Sequence, residues 1–200
     1  MEVVLAALFG GLVVAGIAVF MRDRRAKTAA TGASEPGGLP TGTAARAPDG
    51  DVRALKVSDV VAYDGRDWIV EGTIRLNQDG FRWEEHRLVD GADTEWLSVE
   101  DDEGLEVVVW QRTPPAGLKP GADEITYEGR TYTLDEEGSA AYTAEGSTGT
   151  AASGQMDFAD YSDGDDRLSF ERWGSDGGWE VSTGNVISEH SLDIYPSRGS

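Results

Sequence analysis

Residues 55–73 read LKVSDVVAYDGRDWIVEGT, and residues 118–136 read LKPGADEITYEGRTYTLDE. One inserted residue brings Tyr63-Asp64-Gly65-Arg66 onto Tyr127-Glu128-Gly129-Arg130, and Trp68-Ile69-Val70 onto Tyr132-Thr133-Leu134. Further on, Leu97-Ser98-Val99-Glu100 matches Leu168-Ser169-Phe170-Glu171, and Gly104-Leu105-Glu106-Val107 matches Gly178-Trp179-Glu180-Val181. Four blocks in one order mark an internal repeat, which shapes the architecture before any single residue does. The two units run over about 55–113 and 118–196.

Inside each unit the local grammar is β. Asp64-Gly65 and Glu128-Gly129 set a turn-prone residue and a glycine between extended runs, the short-range signal of a hairpin. Strands are predicted over Val60–Tyr63, Trp68–Leu76, Phe81–Val89, Glu95–Glu100 and Glu106–Gln111. Trp68, Val70, Gly72, Ile74 and Leu76 fall at every second position and read as one half-buried face, with Asp67, Glu71, Thr73 and Arg75 turned to water. No stretch after residue 55 keeps the i, i+3, i+4 apolar spacing of a helix. The expected fold is all-β, as two tandem small antiparallel β-barrel-like units or one fused sheet, following a single N-terminal transmembrane helix.

That helix is read from Val3–Met21, VVLAALFGGLVVAGIAVFM, nineteen residues without a charge. At about 1.5 Å per residue it reaches roughly 28 Å, close to the ~30 Å hydrocarbon core of a bilayer. The segment before it, Met1-Glu2, has no basic residue, whereas Arg22, Arg24, Arg25 and Lys27 follow it. A cleaved signal peptide carries its positive charge in front. The positive-inside rule therefore predicts a single-pass protein of the cell membrane, N-terminus outside and C-terminal domain cytoplasmic. Residues 22–54 add a basic flank and a linker of small residues, proline and glycine, expected to be disordered.

Charge is distributed unevenly. The chain has 17 basic and 37 acidic residues, a net of −20. Residues 1–54 hold six basic and five acidic residues, so residues 55–200 hold eleven and thirty-two, a net of −21. Such a field repels phosphate backbones and excludes nucleic acid as a partner. It attracts cations and basic partners. There is no cysteine, which excludes disulfides, thiolate metal sites and thiol nucleophiles.

The repeat blocks also resemble a bacterial family known as domain of unknown function 4178. The resemblance is carried by Leu55-Lys56-Val57-Ser58-Asp59, Tyr63-Asp64-Gly65-Arg66 and Trp68-Ile69-Val70-Glu71-Gly72, then by Trp83-Glu84-Glu85-His86 and Trp96-Leu97. It covers most of residues 55–196 and reads as two tandem copies, the second degenerate. His86 departs from the family's usual Trp-x-Glu-Tyr block, and the second unit has Met156-Asp157-Phe158 there and Arg167 opposite Trp96. The resemblance implies a fold, a bacterial origin and a loose association with small membrane proteins and a spermidine-synthase-like protein. It implies no activity.

Catalytic candidates are few. His86 sits at an exposed-looking strand position and reads as a solvated side chain. His190 lies in Ser188-Glu189-His190-Ser191, but a triad is built from neighbours in space rather than in sequence. The two histidines lack the spacing of a helical zinc site. Gly146-Ser147-Thr148-Gly149-Thr150 has no lysine and is not a phosphate loop. The acidic run Asp157–Asp166 reads either as a calcium loop or as a solvated hairpin. No catalytic residue, cofactor or metal ligand is assigned.

The expected function is a non-enzymatic interaction or scaffolding module that meets a basic or membrane-protein partner, its candidate surface being Trp83, Glu85, His86 and Trp96. The alternative is a sensor of a small cation, a polyamine or calcium, since carboxylates and aromatic faces both hold alkylammonium groups.

Overall fold

The computed structural model describes residues 48–102, 104–115 and 117–197. They form β1 (Val60–Tyr63), β2 (Arg66–Gln78), β3 (Phe81–Asp90), β4 (Asp93–Asp101), β5 (Leu105–Thr113), β6 (Glu124–Tyr127), β7 (Arg130–Gly146), β8 (Ser153–Asp163), β9 (Asp166–Trp173), β10 (Glu180–Ile187) and β11 (Asp193–Tyr195). The turns follow from the sequence. Asp64-Gly65, Asp79-Gly80 and Glu128-Gly129 all take positive φ, the backbone that a tight two-residue hairpin connection needs.

All eleven strands belong to one sheet, ordered β11-β1-β2-β3-β4-β5-β10-β9-β8-β7-β6, with β2 also paired to β7. The extra pairing closes β2 to β5 and β7 to β10 into a single eight-stranded barrel. Tandem barrels are therefore corrected: each unit supplies half of one closed barrel. Closure gives most strands a partner on both sides, which removes the exposed edges that two separate half-barrels would leave. Both seams, β2–β7 and β5–β10, join corresponding strands of the two units antiparallel. The proposed N-terminal span, Val3–Met21, lies outside the described residues. Among the described residues no helix is long and apolar enough to cross a membrane.

A bulge at the same place in each half shapes the barrel. Val70 faces Leu88 across the ladder and Gly72 faces Arg87, so Glu71 is the extra residue. In the second half Leu134 faces Tyr161 and Glu136 faces Asp160, leaving Asp135 extra. A bulged residue exchanges the faces of the strand beyond it. Trp68 and Val70 thus lie in an outer core with Val61, Leu88 and Leu97, while Ile74 and Leu76 lie in a different one with Ala140, Tyr142, Met156 and Phe158. The expected continuous face from Trp68 to Leu76 is in fact two faces. Thr73, expected in water, is fully buried.

The halves differ at one hairpin. From Tyr63 to Trp83 is twenty residues; from Tyr127 to Met156, which occupies the corresponding place, is twenty-nine. The added length extends β7, and its segment Ala141–Gly146 pairs with Gly72–Asn77 to make the β2–β7 seam. Gly146 is required there: its φ is +73°, and a Cβ would collide with the Glu71 carbonyl oxygen.

Each half packs an outer core. In the first, single 3-10 turns at Val52–Ala54 and Glu189–Ser191 and the strand β11 bring Val52, Leu55, Leu192 and Ile194 onto Trp68 and its neighbours. In the second, Ile125 of β6 packs with Tyr132, Tyr161, Leu168 and Phe170. The hairpin registers also correct the block alignment: Asp90↔Asp93 corresponds to Asp163↔Asp166, which places Leu97 opposite Phe170 in the repeat, not Leu168. The slip is two residues, so side-chain faces are unaffected.

Candidate functional site

The site is the barrel lumen, and the strand registers decide what enters it. Neighbours across the ladders share a face, so Trp83 and Glu85 of β3 point the same way as Ile74 and Leu76. Following the pairs around the barrel adds Trp96 and Ser98 of β4, Trp110 and Arg112 of β5, Ser182 and Gly184 of β10, Ser169, Glu171 and Trp173 of β9, and Phe158 and Asp160 of β8. Contacts between strands that are not sheet neighbours confirm which face is inside. The Trp83 and Phe158 rings meet edge-on with centroids 5.6 Å apart, although β3 and β8 are separated by β2 and β7. Tyr142 and Trp173 meet at 4.9 Å.

Aromatic walls surround an acidic interior. Trp83 Nε1 donates to Glu85 Oε1 at 3.1 Å, and Trp110 Nε1 donates to Ser98 Oγ at 2.8 Å. Glu85 is 8 % exposed. Burial pushes its carboxyl up to about 7, against the opposing Trp83 bond, and the charge of Asp160 adds to the rise. Burial likewise pushes Asp160 up to about 7, while a bond from Ser169 opposes and Glu136, Asp135 and Glu100 reinforce. Glu171 is raised well above the usual carboxylate range by burial, then by Glu85, Asp160 and Glu180. Asp160 and Glu171 nevertheless keep partial exposure, so this end of the lumen is wetted rather than sealed.

Positive charge near the carboxyls is already engaged. Arg112 pairs with Glu180, and Arg167 pairs with Glu106 at 2.9 Å. No lysine lies on the lumen face of the eight barrel strands. Chemically, the lumen can take up protons or an organic cation whose charge meets carboxylates and whose alkyl part meets indole faces.

Three of the four residues expected to form a surface, Trp83, Glu85 and Trp96, meet inside the barrel instead. His86 points to the opposite face and is fully buried, not solvated. Its Nδ1 lies 3.0 Å from Thr73 Oγ1, and its Nε2 has no hydrogen-bond partner, with Glu84 Oε2 at 3.5 Å. Burial and then Arg75 push its pKa down to about 4, Asp59 opposing, which makes it a neutral packing residue.

The remaining sequence candidates are placed as follows. Ser188 Oγ accepts from the His190 backbone N–H at 3.3 Å and Ser191 Oγ donates to the Ser188 carbonyl at 2.6 Å, so this run caps a single turn. The run Asp157–Asp166 is split by its own alternation: Asp157 pairs outward with Arg172, Asp160 points into the lumen, and Asp163 and Asp166 face Arg130. Among the described residues no group of three or more His, Cys, Asp or Glu is placed to hold a metal ion. Gly146–Thr150 lies at the tip of the longer hairpin, where Thr148 and Thr150 hydroxyls bond at 2.9 Å.

Sequence reasoning missed Glu171, Ser169 and Arg112, and read Asp160 only as one member of an acidic run. Glu171 corresponds by register to Ser98, and Glu85 to Phe158, so the carboxyl pair is absent from the repeat itself.

A family model described as domain of unknown function (DUF4178) matches residues 56–189, a span that crosses both halves. An uncharacterized protein of Mycobacterium bovis and two of Mycobacterium tuberculosis are each 38% identical over 203 residues, covering 98% of this chain and 95% of the relative. No solved structure matches.

Proposed function

The chain belongs to the DUF4178 family, and from that premise we propose that it is a non-enzymatic binding protein whose barrel lumen holds a small organic cation, a polyamine being the fitting class. The observation that carries this reading is the joining of Glu85, Asp160 and Glu171 with the Trp83, Trp96 and Trp110 rings in one lumen that has no lysine. Alkylammonium groups are held by carboxylates and by indole faces together, at about 0.5–2 kcal/mol per ring contact. Calcium fits less well, because it takes six to eight oxygen ligands and the lumen carboxyls are interleaved with rings. Titration calorimetry of the full chain is expected to show saturable heat with spermidine, weaker heat with calcium, and loss of the spermidine signal in Glu171→Gln. No heat with spermidine at millimolar concentration removes the reading.

A second reading, an interaction or scaffolding module for a basic or membrane-protein partner, is favoured by the net −21 of residues 55–200. Location at the inner membrane face is supported by the uncharged stretch 3–21 with four basic residues after it, and the 98% coverage by the relatives takes in most of that stretch. A pull-down from gently solubilised membranes that recovers no reproducible partner weighs against the scaffolding role. The block correspondence and the matching bulges support two copies of one unit, the second drifted.

A further inference from the structure

We propose that the outer edge of β6 docks a basic, extended segment of a partner protein, which adds to the sheet as β11 adds to β1. The site rests on the reading of the chain as a module for a basic partner and is separate from the lumen. By the repeat, β6 corresponds to β1, with Ile125 in the place of Val61 and Asp123 in that of Asp59. β1 has β2 on one side and β11 on the other, paired Val60↔Tyr195, Val61↔Ile194 and Ala62↔Asp193. β6 has β7 on one side and, among the described residues, no strand on the other. Tyr127↔Arg130 closes a two-residue hairpin as a hydrogen-bonded pair, so Ile125↔Tyr132 is the next such pair. The N–H and C=O groups of Glu124 and Thr126 therefore point away from β7, as those of Val60 and Ala62 point to β11.

Two further differences show that this edge lacks what its twin has. Asp59 is buried and accepts the Ser197 N–H, just beyond β11, at 2.6 Å, whereas Asp123 is exposed. Leu192 and Ile194 complete the first outer core; among the described residues the second has nothing in their place, and Leu118, Tyr127 and Trp179 stay half-buried against it. The register also states the partner's chemistry. Val60, which faces Tyr195, is replaced by Glu124. An added strand must set an apolar side chain beside Ile125 and a lysine or arginine opposite Glu124, because opposite charges across a ladder attract and like charges repel. Asp123, Glu124 and Glu128 are all exposed at this edge. A second copy of β6 would bring the same carboxylates against each other, which disfavours it as the occupant.

Amide hydrogen exchange of the full chain, followed by NMR, tests this. The probe is the terminally blocked peptide of residues 192–197 carrying Asp193→Lys and Tyr195→Lys; its control carries glutamate at both places. The lysine peptide is expected to slow exchange at Glu124 and Thr126 and to shift resonances along β6, and the glutamate peptide to do neither. Thr126→Pro removes an outward N–H while leaving the β6–β7 bonds in place, and should abolish the protection. Should that variant unfold, Glu124→Lys, a change at an exposed side chain, should transfer the preference to the glutamate peptide. Equal protection by both peptides, or none at millimolar lysine peptide, overturns the docking site. Protection that grows with protein concentration in the absence of peptide gives the edge to a second copy and overturns it as well. Saturable binding of the lysine peptide away from β6 removes the edge but keeps the basic-partner reading; no binding anywhere, with an empty membrane pull-down, removes both.

Discussion

The two halves of the barrel use the same strand plan but finish it differently. The first completes its outer core with residues from both ends of the described chain, Val52 and Leu55 before β1 and Leu192 and Ile194 around β11. The second completes its own with the nearby β6 and the half-buried Leu118 of the linker. In return the second half carries the longer hairpin, whose β7 extension seals the β2–β7 seam for both. The halves are thus alike in pattern and unequal in dependence: the first borrows an end of the chain, the second lends the closure.

The hardest test of that inequality is to shorten the hairpin. Replacing Thr143–Ala152 by a two-residue Asn-Gly turn removes Thr143, Ala144, Glu145 and Gly146 from the seam. At about 1 kcal/mol for each ladder hydrogen bond lost, and with lumen side chains newly exposed, the expected result is an opened barrel with a non-cooperative denaturation curve. A sharp single transition near the wild-type midpoint would show that the seam is dispensable.

Next come the outer cores. Trp68 and Tyr132 occupy corresponding places and are 2 % and 5 % exposed. Replacement of either by alanine should lower stability by about 3–5 kcal/mol, and because the barrel is closed, hydrogen exchange should accelerate in both halves. Acceleration confined to the mutated half would mean that the two cores fold independently.

pH separates the halves more finely. Glu85 titrates near 7 when folded against an ordinary 4.5, so its stabilisation is full below about 4.5 and is lost as pH rises through 7; Asp160 acts in the same direction. His86 titrates near 4 against an ordinary 6.5, so its contribution is present above 6.5 and is lost as pH falls through 4. Each is worth at most about 3–4 kcal/mol, and carboxyls outnumber the histidine. The protein should therefore unfold less readily at about pH 5 than at about pH 8. The second half has Ala159 where the first has His86. His86→Ala should lower stability overall by leaving a cavity but steepen the gain on acidification, measured by urea denaturation across pH. An unchanged slope would contradict a buried neutral imidazole.

The smallest effect belongs to the surface. Arg75 bonds Glu84 and Glu145, each at 3.1 Å, and the latter contact bridges the halves. Arg75→Ala should cost less than about 1 kcal/mol and fade with salt. A larger loss would place an energetic bridge between the halves outside the seam ladders.

Much of this plan is legible in the sequence, and what is not has physical causes. Asp64-Gly65 and Glu128-Gly129 announce two hairpins, and Val60–Tyr63 is read with the bounds observed. The other first-unit strands extend by up to two residues at their ends, where alternation gives way to polar residues. The bulge at Glu71 is invisible because the apolar period continues unbroken through Gly72, although the face it reports has changed. Closure is hidden as well, since it pairs residues 64 to 74 positions apart through a hairpin of plain Ala, Thr and Gly. Trp83, Glu85 and Trp96 are recognisable as a set from their alternation. That they look inward rather than outward follows only from closure, and so does the placing of Glu85 and Glu171 on one lumen face.

One strand remains to be followed through time. β11 pairs with β1, joining Val60 to Tyr195, and Ser197 N–H donates to Asp59 Oδ1 at 2.6 Å. During synthesis the first half of the barrel emerges before the second, yet Ile194, which seals it, is made after β6 to β10. The first core therefore stays uncovered until every strand of the second half has been made. A chain cut short before Leu192 would hold all eight barrel strands, yet the earlier-made half would never finish its core.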